Sequence, residues 1–133
     1  MENKFNEVDY PLKKETGEII GICMEIHRIL GRGFLEVVYK DCLQIEFKNR
    51  EIFYEREKEY EIDYKGVILP HKYFADFVVL GDIILEIKAQ NGIIDEHYKQ
   101  TINYLAVSDC TVALIINFGE ESLKFKRVVL TKK

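Results

Sequence analysis

One stretch limits the fold of this chain more than any other: Phe74-Ala-Asp-Phe-Val-Val-Leu-Gly-Asp-Ile-Ile-Leu-Glu-Ile-Lys-Ala89. Strong strand formers fill both arms, and Leu80-Gly81-Asp82 turns the chain between them, so the stretch reads as a β-hairpin. Three charges sit on the two apolar arms: Asp76 on the first, Glu86 and Lys88 on the second. A half-buried carboxylate beside an ammonium is costly unless it is paired or holds a cation. The hairpin is therefore the first place to look for a functional site.

The turn decides whether these charges can act together. Glu86 and Lys88 are two residues apart on a strand and share a face. A two-residue turn at Gly81-Asp82 would pair Leu80 with Ile83 and send Asp76 to the opposite face. A three-residue loop, Leu80-Gly81-Asp82, pairs Val79 with Ile83 and sets Asp76 across from Glu86. The three-residue loop is expected, with Gly81 or Asp82 left-handed.

The chain is 133 residues long and 47% hydrophobic, so it reads as a single domain, 1–133, with a core of its own and a loose polar arm over residues 1–14. No apolar run approaches the roughly 20 residues that cross a bilayer, and the N-terminus lacks a secretion signal. Cys23, Cys42 and Cys110 are far apart and odd in number. That suits buried thiols in a cytoplasmic protein and argues against a cysteine-ligated metal. A net charge of −4 gives no general pull toward nucleic acid; any phosphate binding would need a local basic patch or a bound cation.

Helical spacing predicts one helix from about Thr16 to Leu30 and a second from about Leu35 to Lys48, broken by Gly31-Arg32-Gly33. From Ile52 to Tyr64 the period changes to two, which predicts one long strand with an acidic face. Lys65-Gly66 turns, and Pro70 marks an edge or bend. After the hairpin, a third helix is expected from near Asp95 to about Val107, with Tyr98, Ile102, Leu105 and Ala106 inward. The apolar run Thr111–Phe118 predicts a buried strand, and Leu123–Leu130 a more exposed one. This order is an α/β domain with one central mixed β-sheet flanked by α-helices.

Two carboxylates and a lysine on one sheet face suit a hard divalent cation, Mg²⁺ or Mn²⁺. Asp76 and Glu86 would bind it, and the carbonyl of Ile87 could add an oxygen. Lys88 could orient a water or neutralise developing phosphate charge. A salt-bridged pair on the solvent face of a sheet is the plainer alternative.

The hairpin resembles the motif of the PD-(D/E)XK nuclease superfamily, with Asp76 as the first acid and Glu86-Ile87-Lys88 as the E-x-K; Ala75 stands where the motif has proline. A narrower resemblance, to the GxxExxY family of that superfamily, rests on Gly33-Phe-Leu-Glu36-Val-Val-Tyr39. Tyr64-Lys-Gly66, His97-Tyr-Lys-Gln100, Tyr104-Leu105 and Asn117-Phe-Gly119 extend it. The resemblance implies a restriction-endonuclease-like core of αβββαβ order, with an extra N-terminal helix and a C-terminal strand. It also implies that Glu36 completes the metal site, and that Gln100 and Tyr104, one helical turn apart, support Lys88 and the nucleic-acid backbone. His97 could face the same cleft but stays outside the catalytic set. Arg28, Arg32, Lys72, Lys99 and the cluster Lys124, Lys126, Arg127, Lys132 and Lys133 are candidates for phosphate contact, although solvated surface charge is their commoner role.

The expected function is a metal-dependent nuclease hydrolysing phosphodiester bonds, with DNA favoured over RNA as partner and no membrane. A homodimer would place two sites on a duplex. The alternative is a non-catalytic nucleic-acid-binding or protein-interaction module on a nuclease-like scaffold.

Overall fold

The computed structural model describes residues 11–130. Most of the expected N-terminal arm, with Lys132 and Lys133, lies outside them. Three helices are present among the described residues: α1 (Lys13–Leu30), α2 (Glu36–Asn49) and α3 (Asp95–Val107). The strands are β1 (Tyr54–Tyr60), β2 (Asp63–Tyr64), β3 (Val67–Ile68), β4 (Tyr73–Val79), β5 (Ile83–Lys88), β6 (Val112–Asn117) and β7 (Lys124–Val129). Lys13 and Lys14, expected in the arm, belong to α1.

Five strands form one mixed sheet in the order β1-β4-β5-β6-β7, and β2 with β3 makes a separate two-stranded ribbon. Only β5 and β6 run parallel; α3 is the crossover that this direction demands. Helices α1 and α2 cover one face, where Ile22, Ile26, Leu43 and Phe47 pack against Phe77, Leu85, Ile87 and Leu114. On the other face, Leu105 of α3 packs with Ala75, Val78, Ile84 and Ile115. Every residue of β6 is buried, as its unbroken apolar run requires.

The single long strand expected over Ile52–Tyr64 is instead two. β1 ends at Tyr60, and Asp63–Tyr64 turns away into the ribbon with β3. The alternating pattern continues through the break, so periodicity alone could not locate it. Tyr98 and Ala106 of α3 are exposed, while Thr101 takes an inward position. Both helix faces are thus narrower than their apolar residues suggest; Leu35 and Ile45 of the second predicted helix are also exposed.

Candidate active site

The hairpin turn has odd length. Val79 pairs with Ile83, Val78 with Ile84 and Phe77 with Leu85. Gly81 is left-handed, as expected, and so is Leu80, with φ of 71° and 55°. Asp82 ties this turn to the start of β6 by accepting bonds from the Thr111 amide at 2.8 Å and the Thr111 hydroxyl at 3.0 Å.

Below the turn the sheet is irregular, and the irregularity makes the site. Phe77 and Val79 face the α1–α2 core, whereas Tyr73 and Ala75 face the α3 side. Four residues of one parity therefore divide between two faces, so β4 changes its facing at Asp76. Opposite this point, the β1–β4 ladder passes from Arg56–Phe77 to Lys58–Ala75 with no pair between, and Glu57 of β1 is left-handed at φ 55°. A strand that changes its facing re-aims the side chain at the change.

The re-aimed side chain is Asp76. Its Oδ2 accepts the backbone N–H of Ile87 at 2.7 Å, beyond the last ladder pair of β4 with β5. The next carbonyl along, that of Lys88, accepts the Phe118 amide at 2.8 Å on the β6 side. Peptide groups alternate sides along a strand, so the carbonyl of Ile87 faces the same opening as its N–H. Asp76 Oδ1 accepts Lys40 Nζ of α2 at 3.1 Å, and Lys40 also bonds the Glu57 carboxylate. Burial works to lower the Lys40 pKa, but Glu57 and Asp76 together raise it.

Glu86 is buried, with 7% of its surface exposed. It accepts the Tyr73 hydroxyl at 2.5 Å. Burial and the nearby Asp76 charge push its carboxyl up to about 7, against the opposing pull of Tyr73 and Lys88. Tyr104 lies flat on Tyr73, with ring centroids 3.6 Å apart and planes 12° apart. Burial, then Glu86 and Asp76, raises the Tyr104 pKa. Lys88 follows Glu86 on the same face and is half-buried.

The link between α1 and α2 sets the far wall. Tyr39 is fully buried and donates its hydroxyl to the Gly31 carbonyl at 2.7 Å, while accepting the Phe34 amide at 3.2 Å. Gly33 has φ 115°, which favours glycine. This anchoring fixes where α2 begins, and Glu36 and Lys40, one turn apart, share a helix face. Both line an open cleft of about 530 Å³ with Phe34, Leu35, Val37 and Ala89. Glu36 is exposed at its rim.

The chain leaving β5 is clamped by Asn117. This buried amide donates to the Gln90 carbonyl at 2.9 Å and to Glu120 at 2.8 Å. It accepts the amides of Gln90 at 3.1 Å and Gly119 at 3.0 Å. The clamp gives Asn117-Phe-Gly119 a structural reason.

Of the six candidate residues, Asp76, Glu86 and Tyr104 are brought together, Lys88 lies beside them and Glu36 lines the adjoining cleft. Gln100 is exposed on α3, and among the described residues no hydrogen bond ties it to the site. His97 Nδ1 accepts the Ile94 amide at 3.3 Å, a helix-capping role. Burial and the Lys88 charge lower its pKa. Arg32 lines a neighbouring cleft with Gln90 and Asn91. Arg127 bonds Thr16 at 2.7 Å and Lys72 pairs with Glu61 at 3.5 Å, so both are engaged within the fold. Lys40, Glu57 and Tyr73 were missed by sequence reasoning.

Among the described residues no three His, Cys, Asp or Glu side chains are gathered to hold a metal ion. The candidate donors, the carboxylates of Asp76 and Glu86 and the carbonyl of Ile87, are all hard oxygens. They fit Mg²⁺ or Mn²⁺ in kind.

A mixed sheet with two helices on one face and one on the other, carrying Asp and Glu-x-Lys on adjacent strands, defines an α/β protein consistent with a PD-(D/E)XK-like core. The family model described as the PD-(D/E)XK nuclease superfamily matches residues 13–128, and the chain belongs to that superfamily. The superfamily typically uses a divalent metal. Among solved structures, the fold is similar to "Crystal structure of SSO0001". That match has a TM-score of 0.56 and 20% sequence identity, and covers 100% of this chain and 70% of the other. No curated protein matches the sequence. No helix among the described residues is long and apolar enough to cross a membrane.

Proposed function

We propose that the protein is a divalent-metal-dependent nuclease that hydrolyses phosphodiester bonds, with DNA as the favoured substrate, and that it belongs to the GxxExxY branch of its superfamily. The observation that carries this reading is the Asp76 carboxylate bound to the Ile87 amide at 2.7 Å, next in the chain to the buried Glu86, with Lys88 two residues beyond Glu86 on β5. Asp76, Glu86 and the Ile87 carbonyl would hold the metal, with Glu36 completing the set from the cleft rim. Bound there, Mg²⁺ or Mn²⁺ would supply Lewis-acid polarisation of the scissile phosphate.

The remaining work falls to the chain itself. The Ile87 N–H keeps the Asp76 carboxylate aimed into the opening between β4 and β5. Tyr73, braced by Tyr104, holds Glu86 in place. Lys88 neutralises charge developing on the phosphate and orients the attacking water. The open cleft of about 530 Å³ beside Glu36 and Lys40 would receive the nucleic acid. Gln100 remains a candidate for backbone contact because it is exposed on the helix that carries Tyr104.

The test is cleavage of single-stranded, duplex and branched DNA and of RNA with Mn²⁺. Asp76→Ala and Lys88→Ala should each abolish it while leaving the protein folded. A folded, Mn²⁺-loaded protein inert on every substrate would sink the reading.

One observation favours the second reading, a non-catalytic interaction module: Asp76 is already neutralised by Lys40 at 3.1 Å. A melting temperature unmoved by Mn²⁺ would support it, since a cation bound only by the folded state raises stability.

A further inference from the structure

Lys40 occupies an unusual position for a helix lysine. Its side chain is only 13% exposed, and its ammonium lies between two carboxylates, Asp76 at 3.1 Å and Glu57. Asp76 is itself only 19% exposed, whereas Glu57 is 51% exposed. Both oxygens of Asp76 are therefore engaged, one by the Ile87 amide and the other by Lys40. A cation arriving at Asp76 meets an ammonium already there, and like charges at this range repel strongly in a partly buried setting.

Glu57 is placed to receive what Asp76 gives up. It stands opposite Asp76 where the β1–β4 ladder is interrupted, in a left-handed conformation that a non-glycine residue adopts only when its surroundings impose it. The Glu57 carboxylate meets Lys40 of α2, while its neighbours Glu55 and Lys58 pair with each other.

We propose that Lys40 is a displaceable counter-ion, balancing Asp76 in the metal-free protein and passing to Glu57 alone when a divalent cation takes its place. The inference rests on the metal-binding reading of Asp76 and Glu86. It makes Lys40 and Glu57 positioning residues that set how tightly the site binds metal. The metal-free site keeps its geometry because the ammonium substitutes for the ion. Its affinity for the cation is lowered in exchange, since Lys40 must first be displaced.

The test is calorimetric titration of the full chain with Mn²⁺ alone, without nucleic acid. Lys40→Met keeps the bulk of the side chain and removes its charge. It should bind Mn²⁺ at least tenfold more tightly than the wild type, a gain that a merely structural residue would not give. Glu57→Gln, a change at an exposed side chain, should bind more weakly, because Lys40 then has only Asp76 as its partner. Most of that penalty should vanish in the Lys40→Met, Glu57→Gln double variant. Lys40→Arg should restore weak binding. If Lys40→Met does not fold, Lys40→Gln and the Glu57→Gln measurement carry the same test. Binding in the wild type that the Lys40 variants leave unchanged or weaken overturns the counter-ion role and leaves the metal site standing. No binding in the wild type or in either Lys40 variant overturns both.

Discussion

The Tyr73 hydroxyl donates to the Glu86 carboxylate at 2.5 Å, from β4 to β5, and Tyr104 of α3 lies flat on the Tyr73 ring. This bond and the Lys88 charge favour the ionised form of Glu86 and partly oppose burial and the repulsion of Asp76. Tyr73→Phe removes the bond and keeps the ring stack. Glu86 should then titrate above its present value of about 7. Stability should fall by about 1–3 kcal/mol at pH 8, the usual cost of an unpaired buried group. The loss should be smaller at pH 5, where Glu86 is protonated in both proteins. Urea unfolding at the two pH values checks this.

The raised Glu86 pKa also fixes a pH dependence for the metal-free protein. Glu86 binds its proton more tightly when folded than when unfolded. Its contribution to stability is therefore fully present below the ordinary value of 4.5, is lost as pH rises to about 7, and is flat above that. The size of the change is on the order of 3 kcal/mol. Glu86→Gln should remove this part of the slope in unfolding measured from pH 4 to 8.

Metal binding should show the complementary trend. A cation at Glu86 must displace the proton. Mn²⁺ affinity should rise about tenfold for each pH unit below 7 and level off above it, as read by calorimetry. An affinity independent of pH between 5 and 7 would remove Glu86 from the ligand set.

Gly119 is the glycine with no room for a side chain. A Cβ there would lie 2.2 Å from the Gln90 nitrogen and 2.6 Å from the Ala89 carbonyl carbon, both backbone atoms. Gly119→Ala should cost about 1–3 kcal/mol through overpacking and loosen the Asn117 clamp behind Lys88. Gly21, exposed within α1 with nothing within 4 Å of its Cβ position, should behave oppositely. Gly21→Ala is expected to stabilise by ~1 kcal/mol, because alanine is the better helix former. Chemical denaturation of the two variants compares them directly.

Local patterns settled much of this protein. Alternation of strand formers around Leu80-Gly81-Asp82 indicated the hairpin, and the odd loop length expected there is the one that pairs Val79 with Ile83. Helical periodicity located α3, and an unbroken apolar run marked β6 as buried. These features depend on contacts close in sequence or on a repeated pattern, so residue order carries them.

Other features depend on where distant elements meet. Regular alternation puts Tyr73 and Asp76 on opposite faces of β4, yet the strand changes its facing at Asp76 and brings Tyr73 to Glu86. Nothing in the sequence of α2 distinguishes Lys40 from a solvated helix lysine. Its role follows from α2 lying over the interrupted ladder, where the Tyr39 anchor to Gly31 sets it. Sequence alone therefore determined which groups carry the charge and the odd length of the turn between them. The tertiary structure decided what neutralises each group, because burial and the strand break at Glu57 and Asp76 arise only when β1, β4 and α2 pack together.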